Sequence, residues 1–173
     1  MKIFIDSADT SLIRDCVLTG LIDGVTTNPS LIRKSGKHPE DVYNAIASLG
    51  VNDISMEVTG TAPEMINEGV RLFNKYGDIA TIKLPMTIEG LIACNDLHER
   101  GVRTNVTLIF NAAQAILAAK AGATYISPFV GRIDDQGYAG TEVVRSCADL
   151  MKPNFNTKVL AASIRTTQRV VRS

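Results

Sequence analysis

The sequence predicts an α/β protein of the (β/α)8 TIM-barrel class, and two observations predict it. Short apolar, β-branched runs alternate with amphipathic helical stretches seven times along the 173 residues. That alternation implies parallel strands joined by right-handed crossovers. Polar residues then stand at or just beyond the C-terminal end of every run: Asp6, Asn28, Glu57, Lys83, Asn105, Thr107, Ser127 and Ser163. A closed barrel collects its reactive groups there from many strands, whereas an open doubly wound sheet concentrates them at one crevice. No GxGxxG or GxxxxGKS/T motif follows any run, which weakens the nucleotide-binding open sheets.

Each element has a local reason. Ile3 to Ile5 form the first strand, and a helix follows from Ala8 to Leu18, with Ser7 and Asp9 as caps or first-turn residues and Gly20 beyond its end. The second strand, Gly24 to Thr26, runs into Thr27, Asn28 and Pro29, where Asn28 can cap a helix that Pro29 opens. A helix fits Pro39 to Leu49, and a strand Ile54 to Val58 carries Glu57 inside it. The helix Pro63 to Lys75 has one apolar stripe of Met65, Ile66, Val70 and Phe73. The fourth strand, Ile79 to Pro85, holds Lys83, and a helix runs from Ile88 to Arg100, stopped by Gly101. The remaining units are strand Arg103 to Leu108, helix Asn111 to Ala121, strand Thr124 to Ser127, helix Gly140 to Met151 and strand Lys158 to Ala162. A loop with Gly131, Asp134, Asp135 and Gly137 precedes the helix that begins at Gly140, and a basic helix starts near Thr166. The chain reads as a single barrel domain, residues 1–173, that lacks the eighth βα unit and is truncated after the seventh strand and the start of its helix. The outer edges of the first and last strands are then left for another segment or chain to cover.

Composition narrows the function. Apolar residues make up 45%, net charge is zero and aromatics are 5% with no Trp. That argues for a globular chain and against nucleic acid as the main partner. Three cysteines, Cys16, Cys94 and Cys147, stand far apart without metal spacing, which fits reduced core thiols in a cytoplasmic protein and no metal. No stretch approaches the roughly 20 apolar residues of a membrane span.

Lys83 is the residue that composition does not explain. A lysine within a buried strand must be paired or used. A desolvated amine sheds its proton more readily and can attack a carbonyl to form a Schiff base. A strand-end lysine can instead snorkel to solvent, and Glu57 on the neighbouring strand is a natural ion-pair partner in either case.

FIDSAD, GVTTNPSL, IKLPMT, TNVTLIFNAAQAILAAKAGATYISPFVGRIDD and AASIR, taken together, resemble the transaldolase family, specifically the small bacterial group that includes fructose-6-phosphate aldolase. The resemblance covers essentially the whole chain and implies the following roles. Lys83 matches the Schiff-base lysine, and Asp6 the acid/base at the C4 hydroxyl of a ketose phosphate. Glu57 and Thr107 match the pair that holds a catalytic water and shuttles protons. Asn28, Asn105 and Ser127 match groups around the dihydroxyacetone portion, and Arg132, Ser163 and Arg165 match the phosphate grip. Glu57 with Phe129 matches the transaldolases, where the aldolase subgroup carries Gln and Tyr.

The resemblance therefore implies a cofactor-free class I transaldolase of the pentose phosphate pathway. It would act on fructose 6-phosphate, sedoheptulose 7-phosphate, erythrose 4-phosphate and glyceraldehyde 3-phosphate as a homo-oligomer. Fructose-6-phosphate aldolase is the alternative within the same chemistry. A non-catalytic sugar-phosphate-binding remnant is the alternative of another class, motivated by the missing eighth unit.

Overall fold

The computed structural model describes residues 1–166. It alternates strand and helix throughout that span: β1(Phe4–Asp6), α1(Thr10–Val17), β2(Gly24–Thr26), α2(Pro29–Ser35), α3(Pro39–Ala47), β3(Ile54–Glu57), α4(Ala62–Tyr76), β4(Ala80–Pro85), α5(Ile88–Glu99), β5(Thr104–Ile109), α6(Ala112–Lys120), β6(Tyr125–Pro128), α7(Val130–Asp135), α8(Gly140–Asn154) and β7(Lys158–Val159). The alternation with parallel pairing is that of the (β/α)-barrel class, with seven of its strands present. The expected helix from Thr166 lies in residues 167–173, outside the described residues.

Two compact units share the chain. The first comprises Met1–Val58 and Asn67–Lys83, and the second Thr59–Ile66 and Leu84 onward. In the first, β1 to β4 pair in sequence order and in parallel, with Asp6 opposite Thr26, Thr26 opposite Ser55 and Glu57 opposite Lys83. Parallel strands are covered on both faces, so their residues are buried without alternation. Ile54, Met56, Ala80, Ile82 and Leu84 are fully buried, and so are Ser55 and Thr81 on the opposite faces of the same strands. Beside this polar face the buried Asp53 accepts a 2.8 Å hydrogen bond from Thr81 Oγ1. In the second unit β5 to β7 pair in parallel, with Thr107 opposite Ser127 and Tyr125 opposite Lys158.

Two of the caps, Asp9 and Asn28, are those that the sequence indicates; His38, Thr87 and Asn111 are not read there as caps. Asp9 caps α1 through Ser11 and Leu12, Asn28 caps α2 with Pro29 in its first turn, and Asn111 caps α6. Such a cap contributes about 1 kcal/mol. Four expectations need correction. Ile79 leaves the fourth strand for a 3-10 turn over Gly77–Ile79, since Gly77 takes a φ of 63° that only glycine adopts freely. The stretch after Phe129 is the helix α7, not a loop, because Val130 and Ile133, three apart, bury one side of it. Regular strand geometry in the last strand stops at Val159, although Leu160 N and Ala162 N still donate to Ile126 O and Pro128 O at 2.9 Å and Ala162 bridges to Phe129. The buried positions of α4 include Ala62, Met65 and Leu72, whereas Ile66, Val70 and Phe73 of the expected stripe are half-buried.

The cysteines are free, Cys94 and Cys147 buried and Cys16 half-buried. Burial pushes the thiols of Cys94 and Cys147 up to about 11. Both are raised above the ordinary thiol value of about 8.5. Their contribution to stability is thus complete below about pH 8.5 and is lost as pH rises toward 11. The expected result is a melting temperature that declines over that window. At pH 8 the native chain should react with one equivalent of a thiol reagent, through Cys16, and the unfolded chain with three. Three reactive thiols in the native state would refute the assignment.

Candidate active site

The first unit brings Lys83, Glu57 and Thr27 together. Lys83 lies on the polar face of β4 two residues beyond Thr81, and its side chain is 7% exposed. Its Nζ stands 3.0 Å from Glu57 Oε2 and donates to the Thr27 carbonyl oxygen at 3.1 Å. The lysine therefore does not snorkel; it is a buried cation held by a half-buried carboxylate and a backbone dipole. An ion pair of this kind contributes little net stability, because desolvation offsets the attraction, but loss of one partner strands the other. Thr27 itself is fully buried, and its Oγ1 has no hydrogen-bond partner among the described residues.

Asp6 is exposed at the end of β1 and accepts from Thr26 Oγ1 at 2.9 Å. It does not cap α1, a position that Asp9 takes. Among the described contacts, Lys83 is joined to Glu57 and Thr27 and not to Asp6. Asn28 uses Oδ1 to cap α2 through Leu31 N at 3.0 Å, which leaves its amide N–H groups as the donors it can offer. No local pattern in the sequence marks Tyr43. It is buried, and burial pushes its ionisation up, an effect that the Glu57 backbone N–H, donating to its oxygen, partly offsets.

The second unit holds the other candidates. Asn105 and Thr107 share a face of β5, and Ser127 Oγ on β6 donates to Asn105 Oδ1 at 2.8 Å. All three are buried, and Thr107 Oγ1 lacks a hydrogen-bond partner among the described residues. The residue after Thr107 departs from strand geometry: Leu108 has φ 63° and the β5–β6 register shifts between Thr107 and Ile109. Such a bulge re-aims the side chains next to it. The Phe129 ring packs 6.3 Å from Phe110, and the Arg132 guanidinium lies 5.1 Å above it. Ser163 is the second non-glycine residue at positive φ, 59°. Arg165 pairs with Asp135 at 2.7 Å.

Among the described residues, no group of three or more His, Cys, Asp or Glu side chains is placed to hold a metal, and no helix is long and apolar enough to cross a membrane. His38 and His98 are exposed, His38 serving as the cap of α3. A groove of about 360 Å3 in the first unit, lined by residues that include Asp9, Lys34 and Lys37, includes neither Lys83 nor Glu57. It is open to solvent, and among its lysines Lys37 already bonds Thr10.

Parallel βα units that hold a buried lysine against a carboxylate at adjacent strand ends define a (β/α)-barrel protein with the groups that amine chemistry requires. The chain belongs to the Transaldolase/Fructose-6-phosphate aldolase family, an enzyme family whose pattern it matches over residues 3–173. A probable transaldolase of Anaeromyxobacter sp. (strain Fw109-5) is 49% identical over 166 residues, covering 95% of this chain and 77% of that protein. One of Bartonella quintana (strain Toulouse) is 48% identical, covering 98% and 79%, and one of Nitrosopumilus maritimus (strain SCM1) is 44% identical, covering 99% and 78%. Among solved structures, a flavocytochrome b2 with sulfite bound superposes with a TM-score of 0.69 at 10% identity, over 99% of this chain and 54% of that one. That likeness concerns the fold alone.

Proposed function

We propose that the chain is a Schiff-base transaldolase that moves a dihydroxyacetone unit between sugar phosphates. The observation that carries this reading is the buried Lys83 Nζ, 3.0 Å from Glu57. Glu57 takes a proton from the ammonium, and the free amine adds to the C2 carbonyl of fructose 6-phosphate or sedoheptulose 7-phosphate. The carbinolamine gains that proton on oxygen and loses water, which leaves an iminium. Asp6 removes the C4 hydroxyl proton as the C3–C4 bond breaks. The bonding electrons pass to the iminium, give an enamine on Lys83 and release an aldehyde. Addition of the enamine to erythrose 4-phosphate or glyceraldehyde 3-phosphate and hydrolysis complete transfer. The iminium is itself the electron sink, so the reading calls for no cofactor.

The remaining roles follow the family resemblance. Thr107, whose buried hydroxyl has no partner among the described residues, holds the catalytic water. Asn28, Asn105 and Ser127 hold the dihydroxyacetone hydroxyls, and Arg132, Ser163 and Arg165 hold the phosphate. The relatives named probable transaldolase support transfer, as does Glu57 in combination with Phe129. The competing reading, fructose-6-phosphate aldolase, shares each step up to the enamine. Product analysis separates them: fructose 6-phosphate should be consumed steadily only with an acceptor aldehyde present. Steady release of free dihydroxyacetone without acceptor would decide for the aldolase.

A further inference from the structure

The carboxylate of Asp135, at the last residue of α7, has no part in the reaction above, yet it fixes the geometry of Arg165. Both of its oxygens accept from one nitrogen, Arg165 Nη1, at 2.8 and 2.7 Å. A guanidinium carries five N–H groups in a rigid plane. With Nη1 taken, the edge left to offer is the one formed by Nε and Nη2. That edge presents two parallel donors and matches two oxygens of a phosphate.

The same edge lies beside Ser163. The backbone N–H groups of Val130 and Gly131 donate to Ala162 O and Ser163 O, both at 3.0 Å. This holds the segment after β7 against the start of α7, with Ser163 in its left-handed conformation. A Cβ at Gly131 would come within 2.6 Å of Ser163 O and 2.8 Å of both Ser163 Oγ and Arg165 Nε. Only a glycine leaves room for the hydroxyl and the arginine edge at one point.

We propose that Asp135 is a positioning residue that turns the Nε/Nη2 edge of Arg165 outward beside Ser163 Oγ, and so sets the preference for phosphorylated over unphosphorylated sugars. The proposal rests on the reading that Ser163 and Arg165 hold the substrate phosphate. A carboxylate near a phosphate site also repels the ligand. Both partners are about half exposed, at 49% and 55%, so water screens that repulsion. Loss of a fixed fork removes the bidentate geometry altogether, so orientation outweighs repulsion.

The test uses D135A and D135E with two readouts. In kinetics, D135A should raise KM for glyceraldehyde 3-phosphate about tenfold, the scale of one charge-assisted hydrogen bond. KM for unphosphorylated glyceraldehyde and kcat at saturation should hold, and D135E should restore part of the loss. In calorimetry with inorganic phosphate, D135A should weaken binding by a similar factor, and R165A should weaken it further. An unchanged or lower KM for the phosphorylated acceptor in D135A overturns the proposal. So does a parallel rise for both acceptors, which would mark a merely structural role. If R165A weakens phosphate binding and D135A does not, only the positioning role fails. If the wild-type protein binds no phosphate, the reading beneath it fails as well.

Discussion

Replacement of Lys83 by arginine should abolish transfer, with kcat lowered by at least about 10^4-fold, as expected when a covalent step is lost. Arginine keeps a positive charge opposite Glu57 but stays protonated and cannot form an imine. K83M removes charge as well as nucleophile. It should lose activity equally and also cost roughly 3–5 kcal/mol, since Glu57 then lacks its partner 3.0 Å away. For a chain of this size that is a fall in melting temperature of about 6–20 °C. The two variants separate chemistry from folding: both inactive, only one strongly destabilised. Borohydride reduction with fructose 6-phosphate should leave an adduct on Lys83 in the wild-type chain and none in either variant. An adduct that persists in K83R would move the nucleophile elsewhere.

E57Q is expected to have the second largest effect. Glutamine matches glutamate in volume and can still accept from Lys83 Nζ, but it cannot take a proton from it. Transfer should slow by about 10^2- to 10^4-fold, the range for loss of a positioned acid/base. By the family resemblance, glutamine is also the residue that the aldolase subgroup carries at this position. The fraction of product released as free dihydroxyacetone should therefore rise relative to the fraction transferred, measured by quantifying both products with erythrose 4-phosphate present. An unchanged ratio would show that Glu57 does not choose between the two outcomes, whatever its effect on rate.

How much of this was legible in the sequence depends on the range of the interaction. Asn28 and Pro29 announce a helix start by their own chemistry, and α2 begins there. Lys83 and Glu57 were readable as partners because each ends a neighbouring strand, and parallel pairing sets them opposite one another. The short helix α7 was masked by Gly131, Asp134, Asp135 and Gly137, residues that usually mark turns. The signal that could have revealed it was Val130 and Ile133, three apart and both buried. Leu108 gives no local hint of a left-handed backbone, since leucine disfavours it. The contacts of Thr27 O with Lys83, of Tyr43 with the Glu57 backbone and of Asp135 with Arg165 join residues distant in the chain. No local pattern encodes them; only the packed structure does.

The hydrogen bond between Thr81 and Asp53 lies on the same face as Lys83 and Glu57 and ties β4 to the residue just before β3. Side chains alternate along a strand, so a slide of β4 past β3 by one position would turn Lys83 to the outer surface and bring Leu84 to face Glu57. Such a product could still bury its hydrocarbon and give a respectable melting curve, yet hold no amine where the proposed reaction needs it. Correct assembly at this one rung thus separates a chain that is merely collapsed from one that can turn over, and specific activity becomes a stricter measure of native yield than solubility.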